Sequence, residues 1–297
     1  MGFMRTVSLD GWSHFVTTAR YLKRETGSLR CQRELSVSDT VFRGHRDAAW
    51  HLQTTLDRER PGMSLRQYFD IMARILPCIE RHSKRQWPDA EKAIRRLMRV
   101  GLPNIYSLRE GNSAAAVLSF MAYLRHHGFP SPFLDWTRSP YVAAFFAFES
   151  CDLCAQEVAV HTFRESTGWI GESPDTSEVR ALGIGPQLLG TSTRHGRQRS
   201  EYTLCVEKVS SNPCLDSYIF ADHEAAINVP GFRIEGGREL DVSDAENAVT
   251  KYTIPAGERN AALASLAEKG ITRLRLFTHG VENLLEDLWH EILVTSR

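Results

Sequence analysis

Leu134-Asp135-Trp136-Thr137-Arg138-Ser139-Pro140-Tyr141-Val142 sets an acid, an indole and a hydroxyl directly ahead of a helix start. Ser139 suits the N-cap and Pro140 the first helical position, where a missing N–H costs nothing. A helix from Ser139 to about Glu149 is therefore expected, with Asp135 to Thr137 in the loop that enters it. A helix N-terminus carries positive partial charge and free N–H groups, so this loop is a natural place to hold an anion. Just upstream, Asn112 to His127 reads as another helix, stopped by Gly128 in the usual C-terminal glycine position. Two helices thus bracket the acidic segment, with Phe129 to Thr137 between them.

Further out, Trp12, Phe15, Val16, Ala19 and Leu22 fall on one helical stripe between Gly11 and Arg24. Thr40-Val41-Phe42 is β-rich, and the strand it predicts ends at or just past Arg43, with Gly44 permitting a sharp exit. Helices are expected over Ser64 to His82 and Asp89 to Val100, with Pro88 and Pro103 as breaks. After residue 150 the texture changes. Glu157 to Phe163, Glu201 to Val206, Ala226 to Val229 and Val249 to Ile254 are short and rich in β-formers, which predicts a mostly antiparallel sheet. Ala256 to Lys269 reads as a helix, Thr272 to Phe277 as a last strand and Val281 to Leu293 as a final amphipathic helix. Ser166 to Arg199 is irregular and is the candidate mobile loop. The expected fold is α+β: one unit over 1–297, with an N-terminal helical segment at 1–38 and a helical insertion at 60–105.

Lysine plus arginine equal aspartate plus glutamate at 36 each, so overall charge points to no polyanion and no membrane surface. The longest apolar run, Tyr141 to Phe148, is far short of the roughly 20 residues of a membrane span. Six scattered cysteines form no disulfide framework and fit a reducing, cytoplasmic setting. Cys151-Asp152-Leu153-Cys154 is a lone C-x-x-C without a matching pair, so no metal site is expected. Arg81, Lys84, Arg85, Lys92, Arg95, Arg96 and Arg99 form a basic stretch, and Arg194, Arg197 and Arg199 a second one. Both read as solvated faces or as phosphate-tracking surfaces.

Val41-Phe42-Arg43-Gly44-His45, with Trp50, Leu52 and Arg58 behind it, resembles the opening signature of the FRG domain. Leu124 to Pro130 and Leu134 to Pro140, followed by Ala143, Phe146 and Ala147, resemble its central motif; Arg194, Gln198 and Tyr202 resemble a third segment, with Ser200 where glycine is usual. The order of these parts is similar to that of ADP-ribosyltransferases. There the first motif helps hold NAD, the second shapes the nicotinamide pocket, and a glutamate or its substitute in the third directs transfer. The resemblance implies an ADP-ribosyltransferase-like fold with NAD as substrate, and a toxin or antiphage defence effector with a protein or nucleic-acid acceptor and a regulatory partner protein. The alternative is a non-catalytic FRG module that binds a nucleotide, nucleic acid or protein.

Cleaving NAD at the nicotinamide bond leaves an oxocarbenium-like ribose. Such a site needs anion recognition for the pyrophosphate, an aromatic wall and a carboxylate near the developing charge. Arg43 can hold a phosphate bidentately, and Gly44 lets backbone approach a ligand; equally, Arg43 can form a structural ion pair with Asp135. Asp135 can orient Arg43 or His126, stabilise the oxocarbenium or cap a turn. Trp136 reads as a core anchor or a ring wall, Thr137 as a ligand contact or an extra cap, and His126 as a helix-end histidine or a partner of the acidic segment. Gln198 fits the third motif as a pocket residue, whereas Glu201 has the better chemistry for catalysis, because a carboxylate can stabilise positive charge. The expected catalytic set is Arg43, Asp135 and Glu201, and the expected cofactor-binding set Gly44, His126, Trp136, Thr137 and Gln198.

Overall fold

The computed structural model describes residues 4–29, 36–37, 40–102, 107–108, 111–150, 155–163, 166–167, 179–185, 200–224 and 249–277. Its strands are β1 (Arg5–Ser8), β2 (Ser36–Val37), β3 (Val41–His45), β4 (Phe133–Thr137), β5 (Glu157–Phe163), β6 (Ser166–Thr167), β7 (Val179–Ile184), β8 (Ser200–Lys208), β9 (Tyr218–Phe220) and β10 (Val249–Pro255). The main sheet runs β1-β10-β5-β3-β4-β8-β7, with β9 also on β8, while β2 and β6 make a separate pair. Every pairing is antiparallel except that of β1 with β10. The fold is α+β.

The helices are α1 (Trp12–Leu29), α2 (Thr55–Glu59), α3 (Leu65–Ser83), α4 (Pro88–Val100), α5 (Gly111–His126), α6 (Pro140–Glu149), α7 (Arg259–Glu268) and α8 (Arg273–Leu276). Local chemistry sets their starts. Reciprocal capping boxes open α2 (Thr54 with Asp57) and α3 (Ser64 with Gln67), each satisfying two N–H groups that the first turn leaves unpaired. Pro88 begins α4 and Pro140 begins α6, and the Val142 N–H donates to the Ser139 hydroxyl at 3.3 Å. Gly128 ends the turn after α5 at φ +79°, where a side chain would be strained.

Most helices cover one face of the sheet, in two groups. Trp12, Phe15 and Ala19 of α1, the apolar side of α6, and Ala262 and Leu266 of α7 pack on Phe42, Val158, Val160 and Ile254. Helices α3, α4 and α5 pack on Phe133, Tyr202, Leu204, Leu182 and Ile184. The first group sits over β10-β5-β3 and the second over β4-β8-β7. A smaller cluster of Val41, Leu52, Leu134, Trp136, Phe163 and Val249 takes the opposite face, as period-2 alternation along β3, β4 and β5 requires.

Three local expectations are corrected. Asp135 to Thr137 belong to β4 rather than to a loop: the segment is a central strand covered on both faces, so it lacks the alternation of a half-exposed one. Within the expected last strand, Thr272 to Phe277, residues Arg273–Leu276 form the short helix α8 instead. Both sides of β10 are already taken, by β1 and β5, so the alternating Arg-Leu pattern finds no ladder to join there. β3 continues through Gly44 to His45, and no exit occurs at the glycine. The expected strand at Ala226 to Val229 and helix at Val281 to Leu293 lie outside the described residues, as does most of Ser166 to Arg199.

Candidate functional site

The sheet opens at its centre. β3 keeps full register with β5 from Val41 to His45, and β4 keeps it with β8 from Phe133 to Thr137, yet β3 and β4 share a single paired position, Phe42 with Thr137. Beyond that pair the two strands diverge, each following its own helical group. A cavity of about 470 Å³ occupies the divide, within the range of small-molecule sites. It is walled by β3, β4, the start of β8, the end of α5 and one side of α6, with Phe129, Phe146 and Phe277 as ring surfaces.

Arg43, Gly44, His126, Asp135, Trp136 and Thr137 all border this cavity. Six expected residues, from three separate stretches of chain, are thus brought together. Arg43 spans the gap between the strands: its Nη1 donates to the Asp135 carbonyl at 2.8 Å and its Nε to His45 Nε2 at 3.0 Å. The guanidinium thereby serves a backbone acceptor that a neighbouring strand would otherwise serve. Burial draws Arg43 down to about 10; Asp135 opposes this, and Arg125 and Arg58 add to it.

The anticipated ion pair between Arg43 and Asp135 is not what forms. The Asp135 carboxylate goes to Arg125, whose Nε donates to Oδ1 at 2.6 Å while Nη2 meets Oδ2. This fork geometry is the strong form of a charge-assisted bond. Asp135 keeps 48% of its side-chain surface open and Arg125 only 16%, so the pair forms a floor that a ligand can reach from the carboxylate side. Burial raises the Asp135 carboxyl, but the charge and hydrogen bonds of Arg125, with Arg43 and His126 behind them, prevail and hold it below the usual carboxylate range. Arg125 stands in the motif beside His126, but sequence reading assigned it no role, because which acid an arginine meets is a long-range fact. Its place in the last turn of α5, ten residues before Asp135, was the available signal.

Gly44 approaches protein rather than open space. A Cβ there would lie 1.9 Å from the Ala143 carbonyl oxygen and 2.8 Å from the Ala147 nitrogen, so the glycine lets α6 lie directly on β3. Trp136 touches the cavity, but its indole lies in the cluster on the other face, 3% exposed, with Nε1 donating to the Thr203 hydroxyl at 2.8 Å. Thr137 accepts from the Ser139 N–H at 3.2 Å, reinforcing the cap of α6. His126 meets the Tyr202 hydroxyl at 3.2 Å across the cavity.

The third motif divides. Gln198 lies outside the described residues. Glu201 pairs in register with Trp136, while its neighbours Ser200 and Tyr202 pair with Thr137 and Asp135. Ser200 and Tyr202 border the cavity; Glu201 is turned to the opposite face and forms an ion pair with Arg138. With Tyr202 facing the cavity, alternation along β8 places Glu201 on the other side. The Cys151–Cys154 pair and the cluster Arg194, Arg197 and Arg199 also fall outside the described residues. Among the described residues, no helix is long and apolar enough to cross a membrane.

Residues 38–153 match the family model of the FRG domain. The chain contains an FRG domain. Its matched stretch holds β3, α5, β4 and α6, and therefore Arg43, Gly44, Arg125, His126, Asp135 and Thr137; the FRG tripeptide itself, Phe42-Arg43-Gly44, is the point where the sheet divides. No curated protein and no solved structure matches the chain.

Proposed function

We propose that the FRG cleft binds NAD and that the chain transfers ADP-ribose from it to a protein or nucleic-acid acceptor, as a toxin or defence effector. In that step the bond between ribose C1′ and the nicotinamide nitrogen breaks and its electron pair leaves with neutral nicotinamide. A nucleophile of the acceptor bonds to C1′ and gives up its proton. One observation carries the reading: among the described residues that line the cavity at the divide of the sheet, two guanidiniums, Arg43 and Arg125, face the single carboxylate of Asp135, beside aromatic rings and hydroxyls. A surplus of guanidinium in a partly desolvated cleft suits a pyrophosphate, and flat apolar walls suit a base or a nicotinamide. The half-open Asp135 carboxylate is the group suited to face the developing positive charge.

A second reading, a non-catalytic FRG module that holds a nucleotide, is favoured by a different observation. Both candidate carboxylates are already engaged, Asp135 by Arg125 and Glu201 by Arg138 on the far face. Incubating the protein with labelled NAD and cell lysate separates the two, with Arg43→Ala and Glu201→Ala alongside. Label on an acceptor that vanishes in Arg43→Ala supports transfer. NAD bound but left intact supports the module. Label lost in Glu201→Ala but kept in Arg43→Ala overturns the cleft as the site, and absence of NAD binding by the wild type overturns both.

A further inference from the structure

Arg43 is a half-buried guanidinium held by neutral partners. A carboxylate stands next to it, yet that carboxylate is forked onto Arg125, and the two hydrogen bonds of Arg43 go to neutral acceptors, the Asp135 carbonyl and the His45 ring. Arginine offers five N–H donors in one plane. Bonds from Nε and Nη1 fix that plane, and among the described residues the Nη2 edge carries no hydrogen bond. We propose that His45 is a positioning residue for the FRG arginine: its Nε2 lone pair fixes the Arg43 side chain by Nε without cancelling its charge, so that the guanidinium is presented to an anionic ligand in the cleft.

The surroundings of His45 fit this role. Residues two apart on a strand share a face, so His45 lies beside Arg43 through the course of β3 itself. The His45 ring is 4% exposed and stands 4.7 Å from the ring of His161, which is wholly buried, and 6.2 Å from that of Trp50. To accept from Arg43 at Nε2, a neutral ring must carry its proton on Nδ1, and that atom is buried with no hydrogen-bond partner among the described residues. Burial and the Arg43 charge push His45 down to about 3, so the lone pair persists across the physiological range. An acidic residue at this position would also accept from Nε, but would neutralise the guanidinium; an imidazole holds it and leaves the charge for the ligand.

The role of His45 as an anchor stands on geometry alone, whereas its effect on affinity rests on the nucleotide reading above. The test uses the full chain with 15N-labelled arginine, the Arg43 Nε–H signal being assigned by its loss in Arg43→Ala, and ADP-ribose as the titrated probe. His45→Gln, which keeps a neutral acceptor, is expected to retain the protected Nε–H signal and the wild-type affinity. His45→Leu is expected to lose the signal and to weaken ADP-ribose binding about tenfold, the scale of one hydrogen bond to a charged group. His45→Glu is expected to keep the signal and still bind ADP-ribose at least as weakly as His45→Leu does. His45→Met replaces the leucine variant if that one unfolds. A protected Nε–H in the leucine or methionine variant overturns the anchor, as does a glutamine variant that behaves like leucine. A glutamate variant with wild-type affinity overturns the claim about charge. If the wild type fails to bind ADP-ribose, the nucleotide reading falls, and the Nε–H signal still decides the anchor.

Discussion

Gly44→Ala is a one-methyl change with a consequence that follows from distances. The backbone of Gly44 has no left-handed strain to relieve, so the substitution acts only through space. The new carbon would fall 1.9 Å from the Ala143 carbonyl oxygen, 2.9 Å from its carbon and 2.8 Å from the Ala147 nitrogen. All three are backbone atoms in the middle of α6, so no side chain can swing aside. Reaching ordinary contact requires α6 and β3 to separate by about 1.5 Å, along a helix whose Val142, Ala143, Ala144, Ala147 and Phe148 are buried. Overpacking of this kind costs about 3 kcal/mol, the upper part of the usual range, because rotamer changes cannot absorb it. Ala143 and Phe146 also wall the cavity, so ligand affinity is expected to fall together with stability. Equilibrium urea unfolding, followed by tryptophan fluorescence, reads the loss as a lower midpoint at unchanged slope. A stability change under about 1 kcal/mol would refute the close approach of β3 and α6.

Asp135→Asn leaves Arg125 without its anionic partner and is expected to cost about 1–2 kcal/mol, less than for a sealed ion pair because the carboxylate is half open to water. The lowered Asp135 carboxyl also sets a pH dependence: its contribution is present above the unfolded value near 4 and is lost as pH falls through the lower folded value, so the wild type loses more stability than Asp135→Asn in melts below pH 4. Trp136→Ala empties the far-face cluster and strands the Thr203 hydroxyl, for an expected loss of about 3–5 kcal/mol in urea; a loss under 1 kcal/mol would mean that the indole is not the anchor of that cluster. Ser139→Ala removes the cap of α6 and is expected to cost about 1 kcal/mol by thermal melt.

How much of this the sequence disclosed depends on the range of the interaction. Features set within a few residues were readable: the Ser139 cap, the Pro140 start, the Gly128 stop, and the helices around residues 64 to 100. The acidic segment carries no strand signature in its sequence: Phe133 and Leu134 are both buried next to Asp135, and a strand covered on both faces gives no alternating signal. The meeting of Arg43 with the Asp-Trp-Thr segment came from the order of the FRG motifs, not from any local pattern. What stayed hidden was the choice among partners. Arg125 rather than Arg43 takes the carboxylate, His45 takes Arg43, and the register of β8 on β4 sends Glu201 away while keeping Tyr202 in the cavity. These are decisions between chemically similar options, settled by the geometry of the sheet.

The stretch that matches the FRG family, 38–153, joins its own two sheet strands at a single pair and does not contain the strands on which they are fully laddered. β3 is laddered to β5 and β4 to β8, and both outer strands come later in the chain. A fragment trimmed at residue 153 would leave two apolar strands with raw hydrogen-bonding edges, which invites self-association rather than folding. Whoever expresses this region should therefore carry it through β10 at least, since the recognisable motif is the middle of a fabric whose selvedges are woven elsewhere.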